Sequence, residues 1–239
     1  KVYFLYMVII ILDYKLSLKV KNMKFRHNWY FPDTEKHFIE YLDASDGTEY
    51  QQIQRLNSFG HVDKFRNAID IGANIGLWAK DICKKFRHAY LFEPHEKNVE
   101  CLKKNLENFK NYEIYECALS NKNDLLDLHL YPEGLGGNTI SPPLGSSSII
   151  TEKVQANVLD SYNFENIDYV KIDVQFHELE VLEGSLETLK RNNPILCIEA
   201  ARRDQEELSY VKRFVELLNG LNYKIVGESG KELFFKKQL

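Results

Sequence analysis

The sequence predicts an α/β domain with a mostly parallel sheet covered by helices on both faces, and three observations point to it. From Asn67 onward, short apolar runs alternate with longer segments of helical periodicity at the spacing of βαβ units. A glycine-containing stretch, Asp70 to Gly76, stands where the first of these strands should hand over to a helix. The chain closes on two short apolar runs around a turn at Gly227 to Gly230, the pattern of an antiparallel hairpin.

The elements follow from residue type and spacing. Asn67 to Ile71, Ala89 to Phe92, Tyr112 to Cys117, Tyr169 to Ile172 and Ile195 to Glu199 are short and rich in β-branched or aromatic residues, as strands buried on both faces require. Leu77 to Phe86, Asn98 to Phe109, Leu179 to Arg191 and Glu206 to Leu221 repeat apolar residues at helical spacing with charged outer faces, and Gly220 falls where the last should stop. Tyr223 to Val226 and Leu233 to Phe235 form the terminal hairpin. Upstream, Asp33-Thr34 reads as the N-cap of a short helix carrying Phe38, Ile39, Tyr41 and Leu42, and Tyr50 to Phe59 reads as another. Gly134 to Ser148, rich in Gly, Pro and Ser, is too long for a mere connection, and such loops beside an α/β sheet carry substrate contacts.

These readings divide the chain into an apolar extension over residues 1–22 that lies outside the native unit, a helical segment over 23–60 and the α/β domain over 61–239. The run Tyr3 to Leu12 is strongly apolar but shorter than the roughly 20 residues a bilayer span needs, and Asp13 and Lys15 follow at once. Stable membrane insertion is therefore not expected, and Met23 is the expected start of the folded unit. Val2 to Leu12 packed on the domain as a strand or helix is the alternative. A formal net charge of −4 gives no global field toward nucleic acid or anionic lipid. Cys83, Cys101, Cys117 and Cys197 lie far apart, so they read as reduced, mostly buried thiols of a cytoplasmic protein. The histidines are scattered without metal-ligand spacing, and no metal site is expected.

The chemistry concentrates at the carboxyl ends of the expected strands. Gly72 and Gly76 let the backbone approach a ligand closely, while the NH groups of the turn favour a negatively charged group. A dinucleotide fingerprint would carry glycine where this chain has Asn74, which disfavours a nicotinamide cofactor. A tight turn with no ligand would show the same glycines. Phe92-Glu93-Pro94 closes the next strand and places Glu93 about 20 residues beyond Gly72, the spacing at which a carboxylate reaches ribose hydroxyls. Glu116 to Ser120 ends the third strand with small and apolar side chains that would line an adenine pocket or simply fill the core. Lys171-Ile172-Asp173-Val174-Gln175 puts Asp173 at the end of the central strand, with His177 and Glu178 close behind. A desolvated Asp173 or His177 could take a proton from an acceptor hydroxyl, although His177 also reads as a surface helix residue.

In this order the blocks resemble the FkbM-like methyltransferases, a branch of the class I S-adenosylmethionine-dependent fold. The resemblance runs from about Tyr50 to the C-terminus. Its parts are Tyr50-Gln51, Ala68 to Gly76, Phe92-Glu93-Pro94, Ala118-Leu119-Ser120, Val158-Leu159-Asp160-Ser161 and Lys171 to Gln175. It implies a Rossmann-like sheet of seven strands in the order 3-2-1-4-5-7-6, with strand 7 antiparallel. It also implies methyl transfer, usually to a hydroxyl oxygen, of a sugar or other small metabolite. Asp70, Gly72, Ala73, Asn74 and Gly76 would flank the methionine portion of the cofactor. Glu93 and Pro94 would stand at the ribose, Ala118 near adenine, and Asp173 between cofactor and acceptor, with His177 and Glu178 as its helpers. The pattern departs at Phe176, where the family carries glycine: a ring there would narrow the acceptor side, and it would strain the turn if that position needs a positive φ. Two rival readings follow, a cofactor-binding scaffold that has lost catalysis and, from the acidic ribose residue, a nicotinamide-dependent oxidoreductase. Nucleic-acid methylation is disfavoured by the absence of a basic stripe. The acceptor's identity and the oligomeric state are not written in the sequence.

Overall fold

A computed structural model describes residues 23–44, 51–131, 137–141, 150–200 and 205–238. The apolar run of residues 1–22 and most of the stretch from Gly134 to Ser148 lie outside them. The described chain opens with a hairpin of β1 (Met23–Arg26) and β2 (Trp29–Pro32), followed by α1 (His37–Ala44) and α2 (Gln52–Phe59). The hairpin is absent from the sequence reading, which gave this segment helices alone. Trp29 and Phe31 alternate inward from β2 and pack with Phe38, Leu42, Ile75, Leu77 and Cys101, so the hairpin and α1 cover the segment that leads out of the glycine turn and the helix Glu96–Asn105 behind it.

The central sheet contains β3 (Asn67–Ile71), β4 (His88–Phe92), β5 (Tyr112–Tyr115), β9 (Ile167–Ile172), β10 (Ile195–Glu199), β11 (Tyr223–Ser229) and β12 (Glu232–Lys237), in the order β11-β12-β10-β9-β3-β4-β5. Read from β5, this is the order 3-2-1-4-5-7-6. Neighbours from β5 to β10 are parallel, and β12 runs antiparallel to both β10 and β11. The fold is the Rossmann-like class I methyltransferase architecture. The predicted third strand ends at Tyr115 rather than Cys117, because the chain leaves this sheet to enter another.

That second sheet was not anticipated. It holds β6 (Ala118–Leu119), β7 (Asp124–Leu130) and β8 (Ile150–Asn157) in the order β6-β8-β7, with β7 and β8 antiparallel over their whole length. In β7, Leu126 and Leu128 alternate with Leu125 and Asp127. The first pair packs with Ala118, Val154 and Ala156 in a small core of its own, while Leu125 is exposed.

The strand pleat sends alternate residues into two cores. Ile69, Ile71, Val170, Ile172, Leu196 and Ile198 face one, roofed by α5 (Glu178–Glu183), α6 (Leu186–Asn192) and α7 (Gln205–Gly220). Ala68, Tyr169, Ile195, Cys197 and Phe234 face the other, against α2 and α3 (Ala79–Lys85); α4 (Glu96–Asn105) adds Leu102 to this side. The predicted helix Leu179 to Arg191 is two helices. At Gly184 a Cβ would lie 2.1 Å from the backbone oxygen of Ser120, so the end of β6 passes close over the break. Asp160 then accepts hydrogen bonds from the Glu187 and Thr188 amides at 3.0 and 2.7 Å and satisfies the first turn of α6, which gives the Val158 to Ser161 block a structural role. All four cysteines are free and buried. Among the described residues no helix is long and apolar enough to cross a membrane, and no cluster of His, Cys, Asp or Glu could hold a metal ion.

Candidate functional site

At the carboxyl ends of β3, β4 and β9 lies a cavity of about 410 Å³, in the crevice where open α/β sheets take ligands. Its first wall is the turn after β3. Gly72 and Ala73 both donate their amides to the Phe92 carbonyl, at 3.0 and 2.9 Å, which pulls the turn against the end of β4. Gly72 has φ +81°, and a Cβ on it would meet the Asp173 backbone oxygen at 1.9 Å, so this position requires glycine twice over. Asn74 also takes a left-handed conformation, φ 50°, which asparagine tolerates. Its amide donates to Glu93 Oε2 at 2.9 Å, while Glu93 Oε1 accepts from the His95 amide at 3.0 Å and from Asn98 Nδ2 at 3.2 Å. Glu93 is buried, and burial raises its pKa against the opposing pull of these bonds. A carboxylate offers about four acceptor positions. Oε2 therefore keeps one for a ligand hydroxyl.

The second wall carries the titratable groups. Lys171, at 1% exposure, is the register partner of Asp70 across β3 and β9, so the two share a face where the neighbouring positions are apolar. Its ammonium lies 3.2 Å from Asp173 Oδ2, 3.4 Å from Glu232 Oε2 and 4.8 Å from the centre of the Trp78 ring. Burial alone would raise the pKa of Asp173, but the Lys171 ammonium and the Gln175 amide beside it help to outweigh burial, and Asp173 is held below the ordinary carboxylate value. Gln175 Nε2 donates to Asp173 Oδ1 at 2.8 Å and also to Glu199 Oε2.

The expected site residues divide by position. Gly72, Ala73, Asn74, Glu93, Pro94, Ala118, Asp173 and His177 line the cavity. Asp70 and Gly76 do not: Asp70 is buried beneath the turn with Oδ2 unpartnered, burial pushing its pKa to about 7, and Gly76 backs onto Leu102 of α4. Glu178 is buried at the start of α5, where its Oε1 accepts from the Val174 amide at 3.1 Å, and burial brings its pKa to about 7. It faces a smaller neighbouring cavity with Phe176 and Tyr210. His177 is buried, not a surface residue. Its Nε2 bonds Ser120 Oγ at 3.0 Å and its Nδ1 bonds Ser141 Oγ at 3.1 Å, so both ring nitrogens are engaged, and burial lowers its pKa. Phe176 does take the positive φ, 68°, beside Gln175 at 53°. Its ring does not line the main cavity, however, but packs edge-on to Tyr210 at 5.9 Å. The expected narrowing of the acceptor side is corrected accordingly.

Further lining residues stand outside the expected cofactor and catalytic set. Gln51 accepts from Trp78 Nε1 at 2.8 Å, and both line the cavity. Thr139 pins the short described stretch of the Gly134 to Ser148 loop by donating to the Gln175 carbonyl, and Asn138 and Ile140 line the cavity beside it. Glu199 and Lys231, from β10 and the β11–β12 turn, complete the second wall. Gln51 and the loop residues 138–140 belong to stretches the sequence had singled out, whereas Trp78, Glu199 and Lys231 had been given no role.

The Methyltransferase FkbM domain matches residues 70–225, about two thirds of the chain and the span that builds this crevice. The chain belongs to the FkbM methyltransferase family. Among solved structures, the FkbM methyltransferase of Methylobacillus flagellatus KT superposes with a TM-score of 0.52 at 13% identity, over 92% of this chain and 57% of that one. The chain therefore spans little more than half the length of that relative. A Streptococcus mutans protein, SMU.1697c, assigned as a methyltransferase and solved in complex with SAH, superposes with a TM-score of 0.50 at 14% identity, over 78% of this chain and 97% of that one. At these identities the two structures establish the fold of this FkbM-family chain. No curated protein sequence matches it significantly.

Proposed function

We propose that this chain transfers a methyl group from S-adenosylmethionine to a hydroxyl oxygen of a sugar or other small metabolite. The observation that carries the reading is one cavity with the Gly72 to Asn74 backbone and Glu93 on one wall and the ionised Asp173 on the other. The residues present fit the cofactor. Glu93 retains an acceptor position for a ribose hydroxyl, Phe92, Cys117, Ala118 and Leu119 offer an apolar wall for a purine, and the Gly72 turn leaves room for the amino-acid portion. The streptococcal relative solved with SAH supports the same assignment. When bound, the cofactor supplies a methyl group already activated on a sulfonium.

The work left to the protein is orientation, exclusion of water and disposal of one proton. Asp173 accepts a hydrogen bond from the acceptor hydroxyl and takes its proton as the oxygen loses it. Lys171 keeps Asp173 charged until then. His177, neutral and bonded at both nitrogens, ties Ser141 to the end of β6 and holds the loop stretch 139–141 over the cavity. Calorimetric titration with S-adenosylhomocysteine, beside Gly72→Arg and an NADH control, tests the cofactor assignment, and an acceptor screen of hydroxylated metabolites tests the rest. Binding that is absent from the folded protein, or equal for NADH, would refute the reading.

A further inference from the structure

Glu199 ends β10 and lies beside Asp173 in the cavity wall, yet the roles derived so far leave it idle. The Gln175 amide nitrogen holds both carboxyls at once, donating to Asp173 Oδ1 at 2.8 Å and to Glu199 Oε2. Two carboxylates gathered on one nitrogen and largely shielded from water repel each other, and one proton between them relieves the repulsion. The charges around the pair are not symmetric. Lys171 touches Asp173 at 3.2 Å and Glu232 at 3.4 Å, whereas among the described residues the cation paired with Glu199 is Lys231, 3.6 Å away and 56% exposed. The buried ammonium therefore favours charge on Asp173 over charge on Glu199.

We propose that Glu199 is a positioning residue for the methyl transfer set out above, holding one proton beside Asp173 on the shared Gln175 amide so that the pair meets the acceptor with a single negative charge, borne by Asp173. The inference rests on the methyl-transfer reading for its purpose but not for its geometry. In the reaction the acceptor O–H bond breaks as the oxygen bonds the methyl carbon, the C–S electron pair returns to sulfur, and the proton passes to Asp173. The pair then holds two protons and returns one to water from Glu199, which is 10% exposed on the Lys231 side. Other groups act on the pair as well. Glu232 on β12 and Lys171 on β9 lie behind it, Lys231 stands at its mouth, and Glu178 and Tyr210 share the adjoining small cavity with Glu199. Glu232 adds negative charge, so it reinforces retention of the proton.

The test follows the side-chain carboxyl carbons of the full chain by ¹³C NMR from pH 4 to 11, without cofactor, in the wild type, Glu199→Gln, Glu199→Ala and Asp173→Asn. One glutamate carboxyl is expected to stay protonated through neutrality and titrate near 9, where burial and Asp173 push Glu199. That signal should vanish in Glu199→Gln and move down by about a unit or more in Asp173→Asn, once the neighbouring charge is gone. The Gln amide can still donate to Asp173, so Asp173 should remain low in Glu199→Gln but rise in Glu199→Ala. A merely structural Glu199 would not give that contrast. A Glu199 already ionised at pH 7, or one indifferent to Asp173→Asn, overturns the proposal. Binding of S-adenosylhomocysteine is measured on the same samples: its absence alongside an intact shared proton counts against the methyl-transfer reading and not against the pair.

Discussion

Replacing Gly72 by alanine tests the site at the point where its two walls meet. Two costs add. The backbone at φ +81° lies in the left-handed half of conformational space, where a side chain costs roughly 1–2 kcal/mol. The new Cβ would also stand 1.9 Å from the Asp173 carbonyl oxygen, against a closest tolerated approach near 3.0 Å, so one backbone must move by about an ångström. Forcing atoms into a packed region costs roughly 1–3 kcal/mol. The sum is roughly 2–5 kcal/mol, and at about 2–4 °C per kcal/mol for a chain of this length the melting temperature should fall by roughly 5–20 °C. Because the atom displaced belongs to Asp173, misplacement by an ångström is also expected to cut turnover about 100-fold. Gly220→Ala is the control. Nothing lies within 4 Å of a Cβ there, and the substitution should stabilise slightly by restricting the unfolded chain. Scanning calorimetry and titration with S-adenosylhomocysteine read both effects. A Gly72→Ala protein that melts within about 2 °C of the wild type and binds with unchanged affinity would refute the close-approach argument.

Glu93→Gln keeps the shape of the ribose-facing side chain but removes its charge, and S-adenosylhomocysteine affinity should fall roughly 10- to 100-fold by calorimetry. Equal affinity would remove Glu93 from the site. Asp70→Asn probes pH: burial raises the folded pKa from 3.8 to about 7, so the native state holds a proton that the unfolded chain has lost. Stability from this group is fully present below about pH 4 and is lost as pH rises through 7, so the Asn variant should match the wild type at pH 4 and exceed it at pH 8 by roughly 2–4 kcal/mol. Denaturant melts at the two pH values that show no widening gap would contradict the assignment. Phe176→Gly relieves a left-handed strain of roughly 1–2 kcal/mol but forfeits the edge-on Tyr210 contact, worth roughly 0.5–1.5 kcal/mol together with some burial. Its melting temperature should stay near that of the wild type, and S-adenosylhomocysteine affinity should not change, since the ring stands off the main cavity; a large gain in affinity would show that Phe176 obstructs it.

What the sequence determined by itself was local and periodic. The strand and helix alternation from Asn67, the positions of Gly72 and Glu93 at the ends of the first two strands, and Asp173 at the end of β9 follow from chain spacing, because a parallel sheet delivers every strand's carboxyl end to one crevice. The resemblance raised a positive φ at Phe176 only as a condition, which the backbone meets, and where the ring goes was not readable: that depends on Tyr210, which arrives on α7 from a distant part of the chain. The second sheet was hidden because β7 and β8 are separated in sequence by the Gly-, Pro- and Ser-rich stretch and pair with each other and with β6 rather than with the central sheet. The break between α5 and α6 was hidden because its cause is the Ser120 carbonyl, far from Gly184 in sequence. Above all, the charge state of the site belongs to tertiary structure. Lys171, Glu199 and Glu232 read as ordinary strand residues, and only the register of β9, β10 and β12 brings them beside Asp173, where burial removes water and leaves each charge to be set by its neighbours.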